Sequence, residues 1–120
     1  MTETETETEP LCLFCRIASG EIPAKLVAET QECIAFRDIN PQAPVHILVV
    51  PRDHITRIHD VKDGKILGNM MMLGAEIARR HGIAESGYRL VANTNADAGQ
   101  SVHHIHLHVL GGRRLGWPPG

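Results

Sequence analysis

The segment His104-Ile105-His106-Leu107-His108-Val109-Leu110 alternates imidazoles with aliphatic side chains. A period of two is that of a β-strand, with His104, His106 and His108 on one face and Ile105, Leu107 and Val109 on the other. Such a strand needs cover on its apolar face, so the chain must supply a second layer. The spacing predicts a strand over 102–110, closed by Gly111-Gly112.

That second layer is legible upstream. Ile66, Met70, Leu73 and Ile77 recur at helical spacing, widened by Leu67, Met71, Gly74 and Ala78. The pattern predicts one long helix, capped by Asp60 or Asp63, ending at His81 with Gly82 in the left-handed position. Met70-Met71-Met72 is read as part of this core stripe. A short helix is expected over 11–19, before Gly20 and Pro23. Strands are expected over 25–29, 33–37, 45–50 and 88–93. Residues 38–44 and 94–101 are expected as loops. Five strands joined by short connections and one long helix imply an α+β fold with a mainly antiparallel sheet.

The chain has 120 residues, 42 % of them hydrophobic, which suits one domain. No run of 18 apolar residues and no charged-then-apolar leader occurs, so a membrane span and export are not expected. Residues 1–10 read as a disordered acidic leader, with Glu3, Glu5, Glu7 and Glu9 in a Thr-Glu repeat, and residues 11–120 as the folded domain. The net charge of −2 belongs to that leader: without its four acids, ten remain against 12 bases, so the body is +2. Such a small excess, without a basic stripe, argues against a nucleic-acid partner. Three cysteines, Cys12, Cys15 and Cys33, make an odd count that fits a reducing, cytoplasmic setting without disulfides.

Residues two apart on a strand are about 6.6–7 Å apart, so the three imidazoles form a row roughly 13 Å long, the scale of a nucleotide phosphate with its flanking groups. Such a row suits a metal site, although no Asp or Glu follows Asp97. It equally suits nucleophilic catalysis, in which a neutral imidazole attacks phosphorus while its neighbours hold phosphoryl oxygens. The third reading is an exposed polar strand face. Asn93, Gly99, Gln100 and Ser101 lie just upstream, where glycine permits close backbone approach to an anion. His46 opens the strand over 45–50 and can meet the row from a neighbouring strand.

These residues resemble the Hint branch of the histidine triad (HIT) superfamily. The resemblance rests on His104 to Leu110, on Gly99-Gln100-Ser101-Val102, and on Phe36 to His46 with Val49-Val50-Pro51-Arg52. The tail, Gly111-Gly112-Arg113 through Trp117-Pro118-Pro119-Gly120, matches it too. It covers residues 11–120. It implies a HIT-like fold, a five-stranded antiparallel sheet with one long and one short helix, extended to ten strands across a homodimer. It implies hydrolysis of the P–N bond of purine nucleoside 5′-phosphoramidates through a covalent nucleotidyl-histidine, the activity of a purine nucleoside phosphoramidase. In that pattern His106 is the nucleophile, His104 and His108 assist it, and Ser101 helps to protonate the leaving amine. Asp38 binds the ribose hydroxyls, Ile39 lies beside the base, and His46, Asn93, Gly99, Gln100, Ser101, His106 and His108 line the nucleotide site. No cofactor is required for this chemistry. Cys12-Leu13-Phe14-Cys15 is a Cys-x-x-Cys that part of the superfamily keeps. In those relatives it can bind a structural zinc, which here would be held by Cys12, Cys15, His46 and His104; two free thiols are the alternative, and as zinc ligands His46 and His104 would not contact the phosphate directly. No special role is expected for His54, His59, His81 or His103.

Two alternatives accompany this reading. A dinucleoside polyphosphate hydrolase of the same superfamily shares the triad, although the Trp117-Pro118-Pro119-Gly120 tail favours the Hint branch. A non-catalytic purine-nucleotide-binding module is disfavoured by the intact triad and Ser101.

Overall fold

The computed structural model describes residues 8–120. In chain order the elements are α1 (Leu13–Ala18), β1 (Leu26–Glu29), β2 (Cys33–Arg37) and β3 (Val45–Pro51), then α2 (Lys65–Arg80), β4 (Tyr88–Val91), α3 (Asn95–Ala98) and β5 (Leu107–Gly111). A single 3-10 turn, Ile58–Asp60, precedes α2. The five strands form one antiparallel sheet in the order β1-β2-β3-β5-β4. This is the α+β sheet expected from the sequence.

The two sheet faces are chemically different because the strands alternate. Cys33, Ala35, Ile47, Val49, Leu107 and Val109 share one face and pack on Met70, Leu73, Ile77 and Ala78 of α2. Gly74 lets the helix come close: a Cβ there would stand 3.3 Å from Leu107 and Leu90. Full burial of Ile47, Ile77, Val49 and Val109 stabilises the two layers by about 1.5–3 kcal/mol per side chain. The other face carries Ile34, Phe36, Leu48 and Val50, covered by Phe14, Cys15 and Ile17 of α1. His46 and His108 point the same way, since Leu48 pairs with His108 and His46 with Leu110.

Three expectations are corrected. The last strand begins at Leu107, not at residue 102, so His104 and His106 precede the ladder. Its neighbour β3 pairs with β5 only as far as Val49↔Leu107. Pro51 and Arg52 then lead that chain away. Side-chain alternation nonetheless extends back to Ile105, which is buried with Leu107 and Val109. The segment expected as a loop over 94–101 contains the one-turn helix α3, closed by Gly99 at φ 83°. The strand expected over 88–93 stops at Val91.

Of the expected leader, residues 1–7 lie outside the described residues. Glu9 is tied to the domain, its carbonyl accepting from the Cys12 N–H and its own N–H pointing at Cys15 Sγ, 3.4 Å away. Among the described residues, no helix is long and apolar enough to cross a membrane.

Candidate active site and thiol–imidazole cluster

The site lies where α1 crosses the polar end of the sheet. Phe14 is the pivot. Its ring stands edge-on to His106 (5.1 Å between centroids), His104 (5.8 Å) and Phe36 (5.5 Å). The imidazoles continue from there: His106 to His108 at 5.0 Å, and His108 to His46 at 5.2 Å. His106 and His108 thus stand side by side and His46 continues them from β3, whereas the His104 ring is turned to the thiols of Cys12 and Cys15.

Hydrogen bonds fix the ring states. The Nδ1–H of His106 donates to the main-chain oxygen of His104, 2.7 Å away. A backbone carbonyl only accepts, so the neutral ring keeps its lone pair on Nε2. The Nε2–H of His104 donates to the Pro51 carbonyl at 2.7 Å, which leaves the His104 Nδ1 lone pair facing Cys12 Sγ (3.3 Å) and Cys15 Sγ (3.6 Å). Burial disfavours the imidazolium throughout. It pushes His104 and His108 down to about 4, and moves His106 and His46 below their ordinary value, against the opposing pull of Asp38. The rings are neutral at neutral pH. Asp38 Oδ2 stands 3.4 Å from His46 Nε2, a contact with a neutral ring rather than an ion pair.

The remaining predicted site residues fall in two places. Asp38 accepts from the Asn40 N–H at 2.8 Å, and Ile39 beside it is fully exposed. Asn93 and Gly99 flank α3, with Ser101 exposed beyond it. None of these three hydrogen-bonds to the imidazoles among the described residues. The Gln100 side chain is spent on the backbone. Its Oε1 accepts from the Asn95 N–H, and its Nε2 donates to the Thr56 and Val102 carbonyls. It ties the 95–102 segment to the loop before α2, and only its main chain is left to face a ligand.

The thiols and imidazoles are grouped differently from the expected Cys12, Cys15, His46 and His104 set. The group brought together is Cys12, Cys15, His54 and His104, whose ligand atoms all lie within 4.8 Å of one another. His46 belongs instead to a separate group with Asp38 and His108. The reason is topological: His46 is the second residue of β3, whereas His104 sits at the far end of that strand beside Pro51, five residues of extended chain further on. His54, just past Pro51, places Nδ1 3.4 Å from Cys15 Sγ. The only sequence signal for it was that a Cys-x-x-Cys wants two more ligands, and eight histidines were available.

The donor set suits zinc. Zn–S and Zn–N bonds of about 2.3 and 2.0 Å give tetrahedron edges of roughly 3.3–3.8 Å, and the sulfur–nitrogen separations of 3.3, 3.4 and 3.6 Å lie in that range. The His104 Nε2–H bond to Pro51 also orients that ring as a second-layer partner orients a metal ligand.

A HIT domain model matches residues 19–115. The chain belongs to the HIT family. It is 49 % identical over 106 residues to the purine nucleoside phosphoramidase of Escherichia coli strain K12, covering 87 % of this chain and 89 % of that one. A HIT family hydrolase from Legionella pneumophila Philadelphia 1 is 53 % identical with a TM-score of 0.88, covering 91 % of this chain and 99 % of its own. A histidine triad protein from Clostridium difficile has the same TM-score at 40 % identity, with coverages of 91 % and 96 %. The match begins at residue 19, so Cys12, Cys15 and Phe14 lie ahead of it.

Proposed function

We propose that this chain is a hydrolase that cleaves the P–N bond of purine nucleoside 5′-phosphoramidates. The observation that carries the reading is the His106 Nδ1–H bond to the His104 carbonyl, which leaves a neutral Nε2 lone pair as nucleophile. The similarity to a curated purine nucleoside phosphoramidase supports the substrate class.

In the first step His106 Nε2 attacks phosphorus and the P–N bond breaks. The departing nitrogen takes a proton delivered at the Ser101 hydroxyl, since an amide anion is too basic to leave. The product of this step is nucleotidyl-His106 and the free amine. Water then attacks phosphorus, the P–Nε2 bond breaks, and nucleoside monophosphate and the neutral imidazole are regenerated with release of a proton. His108 stands beside the reacting ring, and His104 holds that ring's tautomer through its main-chain oxygen. Asp38 accepts the ribose hydroxyls and the exposed Ile39 lies against the base, with Asn93, Gly99 and the main chain of Gln100 around the phosphate and His46 behind His108.

Cys12, Cys15, His54 and His104 hold a structural zinc in this reading. A closed two-thiolate, two-imidazole set supplies cross-linking of α1 to the triad segment rather than an open catalytic position. A homodimer with a ten-stranded sheet is supported by the free edge of β4 and the exposed Met71 and Met72 on α2. A cytoplasmic setting is supported by three buried free thiols.

The test is an assay on adenosine 5′-phosphoramidate with denaturing mass spectrometry. The expected result is AMP release, a transient nucleotidyl adduct on His106, and loss of both in His106→Ala with AMP binding retained. Turnover by His106→Ala would overturn the reading. Cleavage of a diadenosine polyphosphate in preference to the phosphoramidate would move the substrate class.

A further inference from the structure

His46 does not touch His106, yet it is buried and bonded at both ring nitrogens. The main-chain N–H of Gln42 points at His46 Nδ1, 3.0 Å away. On the other side, His46 Nε2 stands 2.9 Å from His108 Nδ1. Histidine–histidine contacts are usually ambiguous, because either ring can donate. Here the ambiguity is removed at one end. A backbone amide has no alternative state, so the Gln42 N–H must donate and His46 Nδ1 must accept. The neutral His46 ring then carries its proton on Nε2, and that proton is given to His108 Nδ1. His108 in turn is left with its proton on Nε2.

The geometry points to a one-directional relay, Gln42 N–H to His46 to His108, that makes His46 a positioning residue holding His108 as an Nε2–H donor. This deepens the proposed reaction and rests on that reading for its catalytic consequence. In that reaction charge accumulates on the phosphoryl oxygens as His106 attacks. A neighbouring neutral N–H donor stabilises that charge, whereas a bare nitrogen lone pair would repel it. The neighbours of His108 support the assignment. Its other facing groups are His106, whose Nδ1–H is committed to His104, and Asp38, whose carboxylate stands 3.4 Å from His46 Nε2 and favours a proton there. Asp38 would ordinarily draw a second proton onto His46. That proton would have to sit on Nδ1, where it would oppose the Gln42 N–H, and burial adds to the cost. Asp38 therefore reinforces the direction of the relay instead of charging it.

Isosteric substitutions separate this from a packing role. In His46→Gln the side-chain NH2 reaches the place of Nε2 and still donates. In His46→Glu the same length of chain presents a carboxylate, which accepts, and forces the proton of His108 to Nδ1. Long-range 1H–15N spectra of the imidazoles are expected to show His108 as the Nε2–H tautomer in the wild type and in His46→Gln, and as Nδ1–H or doubly protonated in His46→Glu. Turnover should follow the tautomer: kcat of His46→Gln is expected to exceed that of His46→Glu by roughly 10²-fold, with AMP binding differing far less between the two variants. An Nδ1–H tautomer of His108 in the wild type overturns the relay even if the enzyme is active. The Nε2–H tautomer in a wild type that does not cleave phosphoramidates upholds the relay and removes the reaction it was meant to serve. Equal kcat losses for Gln and Glu overturn the positioning role.

Discussion

The main-chain oxygen of His104 and the Nδ1 of His106 are 2.7 Å apart, so the residue whose ring faces the thiols also fixes the tautomer of the proposed nucleophile. His104 thereby belongs to two sites at once. Its ring is the wall of the Cys12–Cys15–His54 cluster, and its carbonyl is the anchor of His106. The cluster should consequently matter for stability first and for turnover through geometry second. Zinc titration into chelator-treated protein is expected to raise Tm. Cys12→Ser with Cys15→Ser should abolish that rise while leaving a folded chain that still binds AMP. An unchanged Tm on chelation and reloading would remove zinc from the account.

Phe14 should behave as a site residue despite carrying no polar group. It is 4 % exposed and stands edge-on to His104, His106 and Phe36. Phe14→Ala leaves a cavity against two imidazoles and is expected to cost about 3–5 kcal/mol of stability. Phe14→Leu should recover most of that. If kcat remains depressed in the stable Leu variant, the ring orients His106. Full recovery of kcat would make Phe14 a packing residue only.

The elements whose signal is local were legible in the sequence. The β2 and β3 runs and the stripe through Ile66, Met70, Leu73 and Ile77 gave the sheet and its covering helix almost to the residue. The start of β5 was not, because it depends on where a different strand leaves. Nothing in His103 to His106 says that β3 departs after Val49, since Pro51 and Arg52 are some fifty residues upstream. His54 was missed for the same reason. It sits on no periodic element, and only the fold carries it to Cys15. The four-residue α3 is too short for periodicity to register.

Gln100 was read as a ligand contact, and its bonds predict a different phenotype. Its amide holds the Asn95 N–H and the Thr56 and Val102 carbonyls, with the residue 6 % exposed. Gln100→Ala orphans three backbone groups at the base of the Ser101 turn, and each buried unsatisfied group costs about 1–3 kcal/mol. Gln100→Glu keeps the bond from Asn95 but sets a carboxylate against two carbonyls, and should be no better than Ala. Urea unfolding of the three proteins checks the order. A Glu variant as stable as wild type would show that the two donated bonds carry little.

Acid should unfold the site before it unfolds the sheet. His108 titrates at about 4 in the folded protein against an ordinary 6.5, chiefly through burial and then through His106 and His46. A histidine with a depressed folded value binds protons more readily when unfolded. Its contribution to stability is therefore fully present above pH 6.5 and is lost as pH falls toward 4, where the folded ring also charges. Protonated His108 can no longer accept from His46 Nε2, and the two rings come to oppose each other. Wild-type stability should decline from pH 6.5 to 4. The decline should be shallower in His108→Asn, which has nothing to titrate at that position. Denaturant midpoints at pH 7, 6, 5 and 4 make the comparison, and parallel curves for the two proteins would contradict it.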